Sequence, residues 1–211
     1  MELHLFRHGE TDWNAERRVQ GQSESQLSPL GIEQARGLGD RIRPLQFDKI
    51  YCSSSVRTRQ TAEHAFAHAD FDIEYLDSLR EIFMGPWEGE LYDDIAAREP
   101  DSFRHFWHEP HLFQVEGAET FAQLQRRAMD AIAEIFTQHS GQRIAIVSHG
   151  ALIKSVLCHC TQQALSELWA APKMHNCAHS IVRFENLATM QDIQYADQLL
   201  EPRKGDAAAP G

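Results

Sequence analysis

Cysteine is scarce, with four in 211 residues, at Cys52, Cys158, Cys160 and Cys177. So few, so unevenly spaced, make no disulfide framework, and a reducing cytoplasm is the expected setting. Long apolar runs are missing as well. The longest, residues 144–147 and 151–153, fall far short of the roughly 20 that a membrane-spanning helix needs. Met1-Glu2-Leu3-His4 lacks the basic stretch and apolar run of a secretory signal. Positive charge is in short supply: 20 Lys and Arg stand against 31 Asp and Glu, for a net charge of −11. Nucleic acid and anionic membranes both need a basic footprint, so neither is expected as a partner. Familiar nucleotide and hydrolase signatures are absent too. Gly37-Leu38-Gly39 lacks the third glycine of a dinucleotide loop and falls inside helical spacing, and no Gly-x-x-x-x-Gly-Lys or Gly-x-Ser-x-Gly occurs.

What is present suits one globular domain, with 42% hydrophobic and 24% charged residues. Residues 2–6, 49–52 and 143–148 are short apolar runs with little alternation, as expected of strands buried on both faces. Each leads into a helical signal. Ser28-Pro29 offers an N-cap with proline at the first helical position, and Leu30, Ala35, Leu38 and Ile42 keep helical spacing until Pro44. Residues 54–67 run without Pro or Gly, and Gly150 precedes an apolar stretch from 151 to 158. Between the second and third strands, 71–76 reads as a strand and 91–98, 102–107 and 118–139 as helices. The last carries Phe121, Leu124, Ala128, Ile132 and Ile135 on one face. Two closing strands are expected at 179–184 and 190–195. The pattern predicts an α/β fold: a three-layer α/β/α sandwich around a mostly parallel sheet, with a helical lid inserted at about 82–125. One domain over residues 1–200 and a disordered tail at 201–211 complete the expectation.

The acid excess has an address. Residues 61–134 hold five Lys/Arg against seventeen Asp/Glu, while the flanking thirds are close to neutral. If that segment covers a ligand, it is expected to disfavour a second anionic group there.

Ligands of parallel sheets bind at the carboxyl ends of the strands. There the first strand ends in Arg7-His8-Gly9-Glu10-Thr11 with Asn14 soon after, the second leads to Arg57, and the third ends in Ser148-His149-Gly150. Arginine presents paired donors matched to phosphate oxygens, and a glycine beside each histidine would let backbone approach an anion. A neutral imidazole among them can attack phosphorus. Metal-ligand alternatives are weak. His64 and His68 sit four apart on a helix without a completing ligand, Pro110 breaks the His108-Glu109-Pro110-His111 pattern, and Cys158-His159-Cys160 reads as a helix end. No metal and no cofactor are expected.

These residues resemble the histidine phosphatase superfamily, the phosphoglycerate mutase-like fold. The matching pieces run in the family's order: Arg7 to Thr11 with Asn14, Gln20-Gly21, Leu27-Ser28-Pro29-Leu30-Gly31, Cys52-Ser53 through Arg57 to Thr61-Ala62, Leu79-Arg80-Glu81 with Gly85, Trp87, Glu88 and Gly89, and Ser148-His149-Gly150. Arg59 is similar to a basic residue of the bacterial phosphoglycerate mutase B-type, broad-specificity phosphatase branch.

The resemblance implies that His8 takes the phosphoryl group as phosphohistidine and that Arg7, Asn14, Arg57 and His149 hold its oxygens. Glu81 would protonate the leaving oxygen and then activate water, with Glu88 and Glu90 as neighbouring acids. Gln20, Gly21, Arg59 and Gly150 would line the approach. The family often has a second glycine where Ala118 stands in Gly117-Ala118-Glu119-Thr120, and Ser53-Ser54-Ser55 replaces its Ser-Asp-Leu, a change expected to affect packing more than chemistry. The implied activity is hydrolysis of a small-molecule phosphate monoester. A cofactor-dependent phosphoglycerate mutase and a non-catalytic phosphate-binding protein are the alternatives.

Overall fold

The computed structural model describes residues 1–68, 72–186 and 189–199. Its strands are β1 (Glu2–Arg7), β2 (Lys49–Ser53), β3 (Ile73–Leu76), β4 (Arg143–Ser148), β5 (His179–Asn186), β6 (Thr189–Tyr195) and β7 (Gln198–Leu199). They form one sheet in the order β3-β2-β4-β1-β5-β6-β7. The first four are parallel; β5, β6 and β7 add antiparallel strands beyond β1. Of the expected strand at 71–76, residue 71 lies outside the described residues, as does the expected tail at 201–211.

The helices are α1 (Asp12–Ala15), α2 (Pro29–Ile42), α3 (Val56–Ala65), α4 (Tyr92–Arg98), α5 (Pro100–His108), α6 (Phe121–Gln138) and α7 (Gly150–Cys160). Ser28 caps α2 through the Gly31 amide, with Pro29 in the first turn, as its sequence predicts. Thr120 caps α6 in a reciprocal box with Gln123, so the helix start survives the Ala118 departure. Helix α3 is shorter than the 54–67 run and ends before His68, so His64 and His68 do not share a helix.

Period-two alternation in the parallel strands separates two cores. Phe6, Ile50, Cys52, Ala145 and Val147 pack with Ala35, Leu38, Ala62 and Ala65 of α2 and α3. Leu3, Leu5, Tyr51, Ile144 and Ile146 face Leu124, Ile132, Ile153 and Val156 of α6 and α7. Both faces of β1, β2 and β4 are thereby covered, and apart from His4 and Tyr51 their polar residues stand at the strand ends: Glu2, Arg7, Lys49, Ser53, Arg143 and Ser148. The segment between β3 and β4 forms its own aromatic centre, where fully buried Trp87 meets Phe106 and Phe113 at ring distances of 6.2 and 5.4 Å.

The backbone after β1 is pressed against α2. A Cβ on Gly9 would come within 2.5 Å of the Gly31 carbonyl oxygen, and one on Gly31 within 1.9 Å of the Glu10 carbonyl oxygen. The two glycines therefore serve a close backbone crossing. Gly9 thus makes room for the chain itself, whereas the sequence suggested room for an anion.

Candidate active site

Strand register assembles the site. Arg7 at the end of β1 pairs with Ser148 at the end of β4, and Cys52 of β2 pairs with Val147 of β4. His8, His149 and the start of α3 therefore leave the sheet at one edge. One cavity of about 580 Å³ opens there. Arg7, His8, Asn14, Gln20, Gly21, Arg57, Glu81 and Gly150 line it, eight of the ten residues singled out from the sequence. His149 stands directly behind His8, with ring centroids 5.3 Å apart. Arg59 is not brought to the cavity. Its guanidinium lies 4.2 Å from the Tyr75 ring centroid and its Nε donates to the Ser54 carbonyl at 2.8 Å, on the exposed side of α3.

His8 is buried, and its Nδ1 lies 2.6 Å from the Gly9 carbonyl. A carbonyl only accepts, so Nδ1 carries the proton and Nε2 keeps its lone pair. Burial, reinforced by Arg57 and Arg7, pushes the His8 pKa well below the ordinary imidazole value. His149 is held down by burial and then by Arg57. Its Nε2 meets the Ser53 hydroxyl at 2.8 Å, while its Nδ1 is buried without a partner among the described residues. Ser53 therefore orients a site residue. Ser53 is the serine that Ser53-Ser54-Ser55 shares with Ser-Asp-Leu, so this contact does not involve the two changed positions.

Arg57 is 1% exposed and donates to the Ser23 carbonyl at 2.9 Å and the Gly21 carbonyl at 2.7 Å. Arg7 donates to the Met174 carbonyl. The Nε atoms of both arginines are buried and without a partner among the described residues. Gly150 makes room for Arg7, since a Cβ there would stand 3.3 Å from its Nε. The two amides are oriented by what their oxygens accept. Asn14 Oδ1 takes the Thr11 amide, and Gln20 Oε1 takes the Thr11 and Ser25 hydroxyls, so both NH2 groups remain free to donate elsewhere.

Among the neighbouring acids only Glu81 lines the cavity. Its carboxylate accepts the Ala151 and Leu152 amides at 3.0 and 3.1 Å, on the first turn of α7. Glu88 is consumed by the Gln22 and Met84 amides and the Ser23 hydroxyl, and Glu90 pairs with Arg98.

Some lining residues, Tyr92 and Trp169 among them, left no mark in the sequence, whereas Phe106, Trp107 and Phe113 of the middle segment read there as a mixture of hydrophobic lid and core. Tyr92, Phe106, Trp107 and Trp169 form an aromatic wall, with Trp107 5.7 Å from Tyr92 and 5.3 Å from Trp169. Phe113 stays in the core beneath it. Lys154, Lys173 and Met174 also reach the cavity. Lys154 is buried and donates to the carbonyls of Leu168, Ala170 and Pro172, tying the segment that carries Trp169 and Met174 to α7; burial pushes its pKa down to about 8.

Of the seventeen acids of the middle segment, Glu81 alone among the described residues lines the cavity. Asp93, Asp94, Asp101 and Glu116 are exposed, and Glu99, Glu109 and Glu119 pair with Arg98, Arg104 and Arg127. Between residues 82 and 125 the lining consists of Ile82, Met84, Tyr92, Phe106 and Trp107. The expected repulsion of a second anion by the lid is therefore not built in: its charges point outward because apolar side chains fill its inner face.

Buried imidazoles also set the acid stability. His4, His8 and His149 are 3% exposed or less, each with its pKa lowered chiefly by burial, and His179 is lowered to about 3. Below about pH 6.5 the unfolded chain takes up protons that the fold refuses, costing about 1.4 kcal/mol per pH unit for each such imidazole. Thermal melts should show a Tm that is flat between about pH 7 and 8, below the range in which Lys154 loses its proton, and that falls on the acid side before carboxylates begin to titrate. A Tm unchanged down to about pH 5 would contradict neutral burial.

Comparison with known proteins agrees with this geometry. The pattern of the Histidine phosphatase superfamily (branch 1) matches residues 3–190. A metal-independent phosphoserine phosphatase of Arabidopsis thaliana is 32% identical over 192 residues, covering 88% of this chain and 77% of that protein. A probable phosphoglycerate mutase GpmB of Salmonella choleraesuis is 37% identical over 150 residues, covering 71% and 70%. The solved structure of Bacillus stearothermophilus YhfR superposes with a TM-score of 0.89 at 35% identity, covering 94% of this chain and 98% of that one. With its motifs gathered at one sheet edge and the family pattern spanning nearly all of its strands, this chain belongs to the histidine phosphatase superfamily, branch 1.

Proposed function

We propose that this chain hydrolyses phosphate monoesters of a small metabolite through a phosphohistidine on His8 Nε2. One observation carries the reading. Arg7 Nε, Arg57 Nε and His149 Nδ1 are three buried nitrogens without a partner among the described residues, on two arginines that line the cavity with His8 and on the imidazole next to it, and the Nε2 lone pair of His8 is free. A tetrahedral dianion satisfies all three and meets that lone pair.

In the first half-reaction a bond forms from His8 Nε2 to phosphorus as the ester P–O bond breaks, and the Glu81 carboxyl gives its proton to the leaving oxygen. In the second, the Glu81 carboxylate takes a proton from water as that oxygen bonds phosphorus and the N–P bond breaks. Arg7, Arg57, His149, Asn14 and Gln20 bind the phosphoryl oxygens and stabilise the charge that spreads over them. The similarity to a phosphoserine phosphatase favours hydrolysis over mutase chemistry, and so does the scarcity of cations for a second phosphate: the lid offers the cavity none, and Lys154 is committed to three carbonyls. The aromatic wall favours an alcohol moiety that is flat and apolar.

The test is phosphate release from p-nitrophenyl phosphate, with the phosphoenzyme trapped by rapid quench. The expected adduct is labile in acid, stable in alkali and located on His8. Interconversion of 3- and 2-phosphoglycerate faster than phosphate release would show a mutase instead. The wall makes its own prediction. Trp107→Ala should raise KM for an aryl phosphate by about fivefold and leave glycerol phosphate nearly unchanged, since a lost ring contact is worth about 1 kcal/mol. Equal effects on both esters would remove the wall from substrate recognition.

A further inference from the structure

The segment that carries Glu81 has little structure of its own. Residues 77–79 make one 3-10 turn, and residues 80–84 belong to no helix or strand. A catalytic side chain on such backbone is placed only as well as the backbone is held.

Arg127, on α6, holds it. Its Nη1 donates to the carbonyls of Ser78 and Arg80 at 2.9 and 2.8 Å, and its Nη2 to the carbonyl of Glu81 at 3.2 Å. The other two N–H groups go to Glu119, at 3.0 and 2.8 Å. All five guanidinium donors are thus used, which a lysine could not reproduce. Glu119 grips the far side. Its carboxylate accepts the Phe83 amide at 3.1 Å, and its own amide donates to the Phe83 carbonyl at 2.7 Å. Backbone on both flanks of Glu81 is therefore tied to one ion pair, and neither partner lines the cavity or contacts the phosphate cradle.

We propose that Arg127 and Glu119 are positioning residues that fix the backbone of Glu81, so that its carboxyl meets the leaving-group oxygen. The proposal rests on Glu81 being the proton donor. Its signature is a dependence on the leaving group. Protonation matters for an alkyl ester, whose alkoxide leaves poorly, and little for p-nitrophenolate. A purely structural role would slow both esters alike.

The experiment compares kcat/KM, which reports the step that expels the leaving group, for glycerol phosphate and p-nitrophenyl phosphate in Arg127→Gln, Arg127→Lys, Glu119→Gln and Glu81→Gln, with melts and vanadate binding measured for each. Arg127→Gln should lower kcat/KM for glycerol phosphate by about tenfold to hundredfold and for p-nitrophenyl phosphate by about threefold or less, as expected when a donor is misplaced by an ångström or so. Vanadate binding should not change. Arg127→Lys should fall between wild type and Arg127→Gln, and Glu119→Gln should show the same selectivity more weakly, because its amide oxygen still accepts. Glu81→Gln with Arg127→Gln should be no slower than Glu81→Gln alone. If Arg127→Gln does not fold, the other two variants decide. Equal slowing of both esters, no slowing, or multiplied losses in the double variant would overturn the clamp while leaving Glu81 as the donor, provided Glu81→Gln itself discriminates. If Glu81→Gln slows both esters equally, both the assignment of the donor and the clamp fall.

Discussion

His8→Ala should lower kcat/KM for every phosphate ester by about 10⁴-fold or more, the scale seen when a nucleophile is removed. The argument starts from how the ring is held. Its Nδ1 is committed to the Gly9 carbonyl, and burial with Arg57 and Arg7 keeps it neutral, so the one free lone pair in the cradle sits on Nε2. His149 is not a substitute, because Ser53 engages its Nε2 and the cradle uses its Nδ1 as an N–H donor to the phosphoryl group, which leaves it no lone pair to attack with. Phosphate or vanadate should still bind to His8→Ala, since Arg7, Arg57, Asn14 and Gln20 remain, and removing an imidazole that refuses a proton should soften the fall of stability with acid. Turnover within about tenfold of wild type, or a phosphoenzyme that maps to His149, would sink the assignment of His8.

The same reasoning explains which parts of the site could be read from sequence. His8, Arg7, Arg57 and His149 lie in short motifs at strand ends or first helical turns, where local pattern fixes position within a residue or two, while Glu81, on irregular backbone, was legible only through the family resemblance of Leu79-Arg80-Glu81. Strand register then brings the ends of β1, β2 and β4 together. Tyr92, Trp107, Trp169 and Lys154 come from three helices and a loop with no shared motif, and only tertiary packing puts them on one cavity. Arg59 shows the converse. A basic residue two positions after Arg57 points about 200° away around an α-helix, so the proximity in sequence that suggested a shared site placed it on the opposite face. Charge behaved similarly. The acid excess of residues 61–134 was legible as a count, but which face bears it depends on the aromatic centre that fills the lid, and that face is the outer one. The β5–β7 extension was partly legible: two strands were expected and three are present, the short β7 being too brief to leave a pattern.

Arg57→Ala carries the second large effect, a fall in kcat/KM of about 10³-fold, near the top of the range for a lost electrostatic stabiliser of a phosphoryl transition state. Arg57 is buried, and burial lowers its pKa to about 10 against the pull of Glu81 and Glu24, so at neutral pH it is a fixed cation beside His8. Two of its nitrogens are held by the Gly21 and Ser23 carbonyls, which leaves Nε as the donor without a protein partner. The geometry is preorganised: the fork is anchored before substrate arrives, and no reorganisation is needed as charge develops. The same anchoring gives the residue a structural share. Arg57→Ala leaves two buried carbonyls without donors, at a cost of about 2–3 kcal/mol in stability. Arg57→Lys separates the two roles, because it keeps the charge and loses the fork. Arg57→Lys is expected to regain part of the stability but to remain about tenfold to hundredfold slow, with weakened vanadate binding. If Arg57→Lys instead restores full activity, a point charge suffices and the fork geometry is only a strut. If Arg57→Ala melts early yet turns over within about tenfold of wild type below its Tm, the residue supports the Gly21–Ser23 loop and does not stabilise the transition state.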